Sequence, residues 1–249
     1  MTWAIVGGTG ALGLLQQGRA ESVTTPFGQP SAMPVRVELG QQQGWFLARH
    51  GDPHRIPPHR VNYRANIDAL RQLGVERILA VNAVGAIDPG LPGGALVVPD
   101  QLIDYTWGRV QSFSDDAESP LMHIEFADPF HGPTRNALLA AGARAGVSLV
   151  DGGCIAVTQG PRLETAAEIR KLAADGNTLV GMTSMPEAAL AREAGFDYAS
   201  LCVVANPAAG VLDEPITMEA IEHTLAEAMQ EVARLLHSGL VFADLSDSN

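Results

Sequence analysis

The stretch WAIVGGTGALG, residues 3–13, decides the fold class. Trp3 to Val6 form an apolar run of strand length, and the glycines behind them punctuate it. A strand that runs into a glycine-rich turn is one unit of an α/β chain. Glycines there let backbone N–H groups approach an anion closely, and Thr9 adds a hydroxyl. Three readings stay open for this segment alone: a tight turn, a phosphate cradle, or the first turn of a dinucleotide-binding unit. The last expects an acidic residue about 20 positions on. The region concerned, SVTTPFGQPS (22–31), carries no carboxylate.

The same alternation continues outward. Gly44 to Ala48 reads as a strand that ends at Arg49-His50-Gly51, and residues 61–73 as a helix with Ala65, Ala69, Leu70 and Leu73 on one face. Strands are expected at Arg77–Val84, Leu96–Ile103, Cys154–Thr158, Leu179–Met182 and Tyr198–Ala205. Helices are expected at Pro133–Ala145, Ala166–Ala174 and Pro186–Ala194, and a last one capped by Thr217 reaches about His237. The pattern predicts one α/β domain over residues 1–249 around a central sheet, with mobile segments at 110–120 and in the tail 240–249.

Composition narrows the function. The 249 residues are 46% hydrophobic and 18% charged, enough apolar material for a sizeable core. The net charge of −12 repels nucleic-acid backbone and anionic membrane, so neither is an expected partner. Cys154 and Cys202 both lie in apolar runs and read as buried structural thiols. No cysteine spacing suggests zinc, and His54 and His59 are too irregularly placed to suggest a metal. With no basic, apolar leader and no run of membrane-spanning length, the expected location is the cytoplasm.

Several expected strands end in small polar residues, the usual ligand side of such a sheet. Arg49 offers a fork suited to phosphate and His50 a neighbouring imidazole, against the alternative of a surface arginine beside a structural histidine. Asn82 is either a turn residue or a ligand contact. Met182 reads more simply as core. Glu164, in the turn GPRLET (160–165), complements a helix N-terminus as readily as it binds a ligand. Asn206, before Pro207, reads alone as a turn residue.

Taken together, IVGGTG (5–10), ARHGDPHRIPPHRVNYRANI (48–67), AVNAVGAI (80–87), HIEFADPF (123–130), VTQGPRLET (157–165), GMTSMPEAALAREAG (181–195) and VVAN (203–206) resemble the trimeric purine nucleoside phosphorylase and methylthioadenosine phosphorylase family over residues 3–238. The resemblance implies one α/β domain with a distorted mixed sheet, partly barrel-like, surrounded by helices. It also implies a homotrimer with active sites near subunit interfaces. It assigns phosphate to Thr9, Arg49, His50, Asn82, the Ala83 backbone and Thr183. Met182 and Leu163 fall beside the ribose and base, and Leu163 stands where the family often has Phe, which weakens stacking. His123 matches a histidine that a neighbouring subunit lends to the 5′ group. Inorganic phosphate is the co-substrate, and neither a metal nor an organic cofactor is implied.

Two departures point to the substrate. Methylthioadenosine phosphorylases carry a pair of Asp residues where this chain has Asn206 and Ala208, and Glu164 matches a glutamate that binds N1–H in 6-oxopurine enzymes. An Asn amide donates to a 6-carbonyl while its oxygen accepts from N7–H. Met218 and Ile221 fall where inosine-cleaving relatives place a 5′-hydroxyl-binding His, and an apolar pair prefers methylthio; Met218 as plain helix core is the alternative. The expected reaction is phosphorolysis of 5′-methylthioinosine to hypoxanthine and 5-methylthioribose 1-phosphate, with Asn206 holding the departing base. The rival substrates are methylthioadenosine and inosine or guanosine. Rivals of another class are a nicotinamide-dependent oxidoreductase and a non-catalytic purine-binding protein.

Overall fold

A computed structural model describes residues 2–14, 18–40, 42–115, 118–213 and 216–238. Its centre is one ten-stranded mixed sheet. The first strand, β1 (Trp3–Gly7), lies between β3 (Gln42–Ala48) and β4 (Arg77–Ala86), parallel to both. Beyond β3 lies β2 (Val35–Leu39), antiparallel. On the other side β4 pairs in parallel with β10 (Asp197–Pro207), which pairs with β5 (Leu96–Val98) and through it with β7 (Val150–Asp151). The far end of β4 also pairs with β9 (Leu179–Gly181), and β9 leads to β8 (Cys154–Val157) and β6 (Gln101–Asp104). The long β4 is thus the strand at which the sheet branches.

Both faces are covered, which is why the central strands are apolar throughout rather than alternating. Along β1, Trp3 and Ile5 point to one core and Ala4 and Val6 to the other. The first core is closed by α2 (Pro133–Ala145) and α5 (Met218–His237), the second by α1 (Tyr63–Gln72) and α4 (Ser184–Glu193). A third, smaller cluster packs Ile169 and Leu172 of α3 (Ala166–Ala174) on Ala156, Val180 and Ala208.

Local chemistry explains the helix ends. Thr165 and Glu168 form a reciprocal capping box on α3, and Thr217 accepts from the Ala220 N–H on α5. Gly146 closes α2 in the left-handed conformation, φ 64°. Met185 is extended (φ −116°, ψ 136°), so regular helix in α4 begins at Pro186, where a proline is well suited.

Three expectations need correction. The predicted strand 96–103 is two strands, because Pro99 cannot donate to a ladder and Asp100 turns away to accept from the Gly153 N–H at 2.8 Å. Cys154 is half-buried, not buried like Cys202. After β1 the chain makes one 3-10 turn, Ala11–Gly13, and among the described residues no α-helix begins there. The dinucleotide reading requires a helix N-terminus at that point, so it falls. Of the expected mobile segments, residues 116, 117 and 240–249 lie outside the described residues.

Candidate active site

The ends of β1, β3, β4, β9 and β10 and the turn after β8 enclose a cavity of about 290 Å³. Gly8 and Thr9 come from β1, Arg49 and His50 from β3, and Ala83 from β4. Met182 and Thr183 follow β9, Leu163 and Glu164 follow β8, and Asn206 with Ala208 closes β10. Ile216, Met218, Ile221 and Leu225 of α5 and its approach form an apolar end wall. Met218 is 62% exposed and lines the cavity, so it is not helix core.

A bulge in β10 shapes this wall. Val204 pairs with Val84 but Asn206 pairs with Gly85, leaving Ala205 as the extra residue. A bulge turns two successive residues to one side, and here both Ala205 and Asn206 line the cavity while Val204 stays in the core. The Asn206 amide nitrogen donates to the Pro207 carbonyl at 2.6 Å. One N–H and the Oδ1 acceptor remain for a ligand.

Arg49 corrects its simplest reading. Its side chain is fully buried, and its fork is taken by Glu187: Nε to Oε2 at 2.7 Å and Nη2 to Oε1 at 2.8 Å. Nη2 and Nη1 also donate to the carbonyls of Val6 and Val81. Of five N–H donors, one on Nη1 is left. Burial works against the guanidinium charge, but the Glu187 carboxylate more than offsets it and the pKa is raised. The Tyr198 hydroxyl donates to Glu187 at 2.9 Å, and burial followed by that carboxylate raises its own pKa well above the usual range.

Asn82 is also corrected. It does not line the cavity; it stands one step behind, accepting from the Thr183 hydroxyl at 3.2 Å and donating to Ser200 at 2.8 Å. It holds Thr183 rather than a ligand. His123 is exposed and is not among the residues that line the cavity. Several cavity residues escaped the sequence reading as site residues, among them His54, Ile216 and Leu225. His54 stacks on His50, centroids 4.4 Å apart, and Leu225 belongs to the apolar wall. The helical spacing of Ile221 and Leu225 was the available signal for the latter.

The His50 Nδ1–H donates to the Ile56 carbonyl at 2.7 Å, which leaves Nε2 as a lone pair. Burial, then the Arg49 charge, brings its pKa down from 6.5 to about 4. The unfolded chain therefore binds the extra proton first as pH falls. The stability in question is complete above about pH 6.5 and is lost as pH falls through about 4, a total on the order of 3 kcal/mol. His50→Asn, which keeps an N–H donor in place of Nδ1, is expected to flatten this acid loss in urea unfolding between pH 7 and 4.5. An unchanged slope would show that His50 is not its source.

Among the described residues, no group of three His, Cys, Asp or Glu side chains is placed to hold a metal ion. No helix among them is long and apolar enough to cross a membrane.

Comparison with known proteins agrees with this geometry. The Phosphorylase superfamily model matches residues 2–240. A "Probable S-methyl-5'-thioinosine phosphorylase" of Xanthomonas campestris is 51% identical over 92% of this chain and 90% of its own. A "6-oxopurine nucleoside phosphorylase" of Pyrococcus furiosus is 41% identical over 94% of this chain and 89% of its own. A solved methylthioadenosine phosphorylase from Schistosoma mansoni, in complex with adenine, superposes with a TM-score of 0.92 at 32% identity, covering 99% of this chain and 94% of that one. The mixed sheet, the cavity at its strand ends and these matches lead to one conclusion: the chain belongs to the phosphorylase superfamily.

Proposed function

We propose that the protein is a purine nucleoside phosphorylase that prefers 5′-methylthioinosine, releasing hypoxanthine and 5-methylthioribose 1-phosphate. One observation carries the reading: a single cavity is lined both by Glu164 and Asn206 and by the apolar side chains of Ile216, Met218, Ile221 and Leu225. The first pair suits a 6-oxopurine, whose N1–H meets a carboxylate acceptor and whose O6 and N7–H meet an amide. The apolar wall suits a methylthio group and offers nothing to a 5′-hydroxyl. The names of the Xanthomonas and Pyrococcus relatives support both halves of that substrate.

Phosphate sits among Thr9, the remaining Arg49 N–H, the Ala83 backbone and Thr183, and the His50 Nε2 lone pair accepts from a phosphate O–H. The N9–C1′ bond breaks with its electron pair passing to the purine, an oxygen of hydrogen phosphate forms the new bond to C1′, and the proton of that hydrogen phosphate ends on the purine, which leaves as neutral hypoxanthine. No covalent enzyme intermediate and no cofactor enters. The protein positions the phosphate and stabilises charge building on the base, where Asn206 acts. Met182 and Leu163 bound the ribose and base. His123 serves the 5′ end of a neighbouring copy's cavity in a homotrimer, which is consistent with its exposure outside its own cavity. The cytoplasm and purine salvage are its setting.

The test is kcat/KM, with saturating phosphate, for methylthioinosine, methylthioadenosine and inosine. Methylthioinosine is expected to lead by about tenfold or more over inosine, since losing apolar contact in a pocket costs about 1–3 kcal/mol. It is expected to lead by more over methylthioadenosine, which leaves Glu164 facing a lone pair. A higher value for methylthioadenosine overturns the base assignment, and no phosphate-dependent release of base overturns the whole reading.

A further inference from the structure

Glu164 is held by one side chain among the described residues. The Thr158 hydroxyl donates to its Oε1 at 2.6 Å. The alternative acceptor for that proton, the Gly181 carbonyl, is 3.4 Å away, so the carboxylate takes it. Thr158 is itself fixed from two directions. Its N–H donates to the Gly181 carbonyl at 2.8 Å, tying it to the end of β9. Its carbonyl accepts from Arg109 Nη2 at 3.3 Å.

Arg109 makes this a rigid mount. Its other donors reach the Gln159 carbonyl at 2.8 Å, the Gln159 side-chain oxygen at 3.2 Å, and the Met182 and Met185 carbonyls at 2.8 and 2.6 Å. One guanidinium therefore pins the turn that carries Glu164 to the turn that carries Met182. The nearest cation in sequence, Arg162, is engaged elsewhere, forking Glu168 with two bonds of 2.8 Å. Without Thr158, no described hydrogen bond would hold the Glu164 carboxylate in place.

We infer that Thr158 is a specificity-determining positioning residue: its hydroxyl orients Glu164 so that Oε2 presents an acceptor to the N1–H of a 6-oxopurine. This rests on the proposed role of Glu164 in base recognition. The hydroxyl occupies Oε1 and fixes the carboxylate as an acceptor on its other oxygen. A 6-oxopurine then gains a hydrogen bond, while a 6-aminopurine brings a lone pair at N1 against an oxygen that cannot turn away. Discrimination of this kind depends on the reader being held still, because a mobile carboxylate can avoid the wrong base.

The experiment compares wild type, Thr158→Val, Thr158→Ser and Glu164→Gln by kcat/KM for methylthioinosine and methylthioadenosine, with thermal unfolding of each. Thr158→Val preserves shape and deletes the donor. It is expected to lower the methylthioinosine-to-methylthioadenosine ratio about tenfold, the scale of one hydrogen bond to a charged group. Thr158→Ser is expected to return the ratio to within about threefold of wild type on the same basis. A merely structural role would lower both activities together and leave the ratio alone. If the ratio falls in Glu164→Gln but holds in Thr158→Val, the inference is overturned and the base reading stands. If it holds in Glu164→Gln as well, the role of Glu164 fails and the inference fails with it. Should Thr158→Val not fold, Thr158→Ala removes the same donor and is read the same way.

Discussion

Glu187→Ala is expected to destabilise the fold by about 3–5 kcal/mol, the cost of leaving a buried charge without its partner. Arg49 and Glu187 are 0% and 1% exposed, and their two short bonds are the only carboxylate contact the guanidinium makes among the described residues. Tyr198 would lose its acceptor in the same variant. The stronger form of the prediction concerns the double variant Arg49→Met with Glu187→Leu. Replacing both charges by apolar groups of similar volume removes the desolvation cost along with the attraction. The double variant is therefore expected to lose less stability than Glu187→Leu or Arg49→Met alone, giving a coupling of several kcal/mol in a double-mutant cycle measured by urea unfolding. Additive losses would show that the pair is not a unit. Activity is expected to vanish in the double variant regardless, because the proposed contact from the one remaining Arg49 N–H to phosphate goes with it.

Asn206→Asp is expected to have the largest effect on chemistry. The change is isosteric and leaves the β10 bulge in place, although the 2.6 Å bond from the amide nitrogen to the Pro207 carbonyl is lost with it. Asparagine presents one donor and one acceptor to the base, whereas aspartate presents two acceptors. Against hypoxanthine, one carboxylate oxygen would face O6 and the donor that stabilises charge on the leaving base would be gone. Loss of such a donor costs about 10²–10³ in rate, and that is the expected drop in kcat/KM for methylthioinosine. Against adenine, the same oxygen would accept from the exocyclic N–H, so methylthioadenosine is expected to fall far less or to rise. Glu164 still opposes an unprotonated N1, so the exchange of preference is expected to be incomplete until Glu164 is changed too. An unaltered ratio in Asn206→Asp would sink the assignment of residue 206 to the base.

The elements most legible in the sequence are those whose ends carry their own chemistry. The helices at 133–145 and 166–174 were expected with the bounds they have, because Pro133, Thr165 and Gly146 mark their ends locally. The strand β2 was missed: VRVEL is short, alternates between buried and exposed positions, and follows an irregular stretch. The run LVVPDQLI reads as one strand from its apolar residues, and Pro99 is the local signal of the break. In the site, strand-end residues such as Thr9, His50, Glu164 and Asn206 were legible as candidates because ligands gather where parallel strands end. What they bond to was not. Arg49 meets Glu187 from 138 positions away, and Asn82 meets Ser200 from 118 positions away. From sequence Arg49 reads as a whole fork free for a ligand, and Asn82 as a turn residue or a ligand contact, until their long-range partners are seen. The expected substrate rests on the family resemblance, in which neither Thr158 nor Arg109 stands out.

The extra residue in β10 has an evolutionary consequence. Ala205 absorbs the change of register, so position 206 can alter its charge without disturbing Val204 or Cys202, which remain in the core on either side of Val203. Most residues in the middle of a sheet are answerable to two neighbouring strands and a packed interior. This one is answerable mainly to whatever enters the cavity. A lineage with such an arrangement can take the first step from one purine toward another at position 206 while keeping a foldable protein, and deep mutational scanning is expected to find position 206 permissive for expression and intolerant for activity.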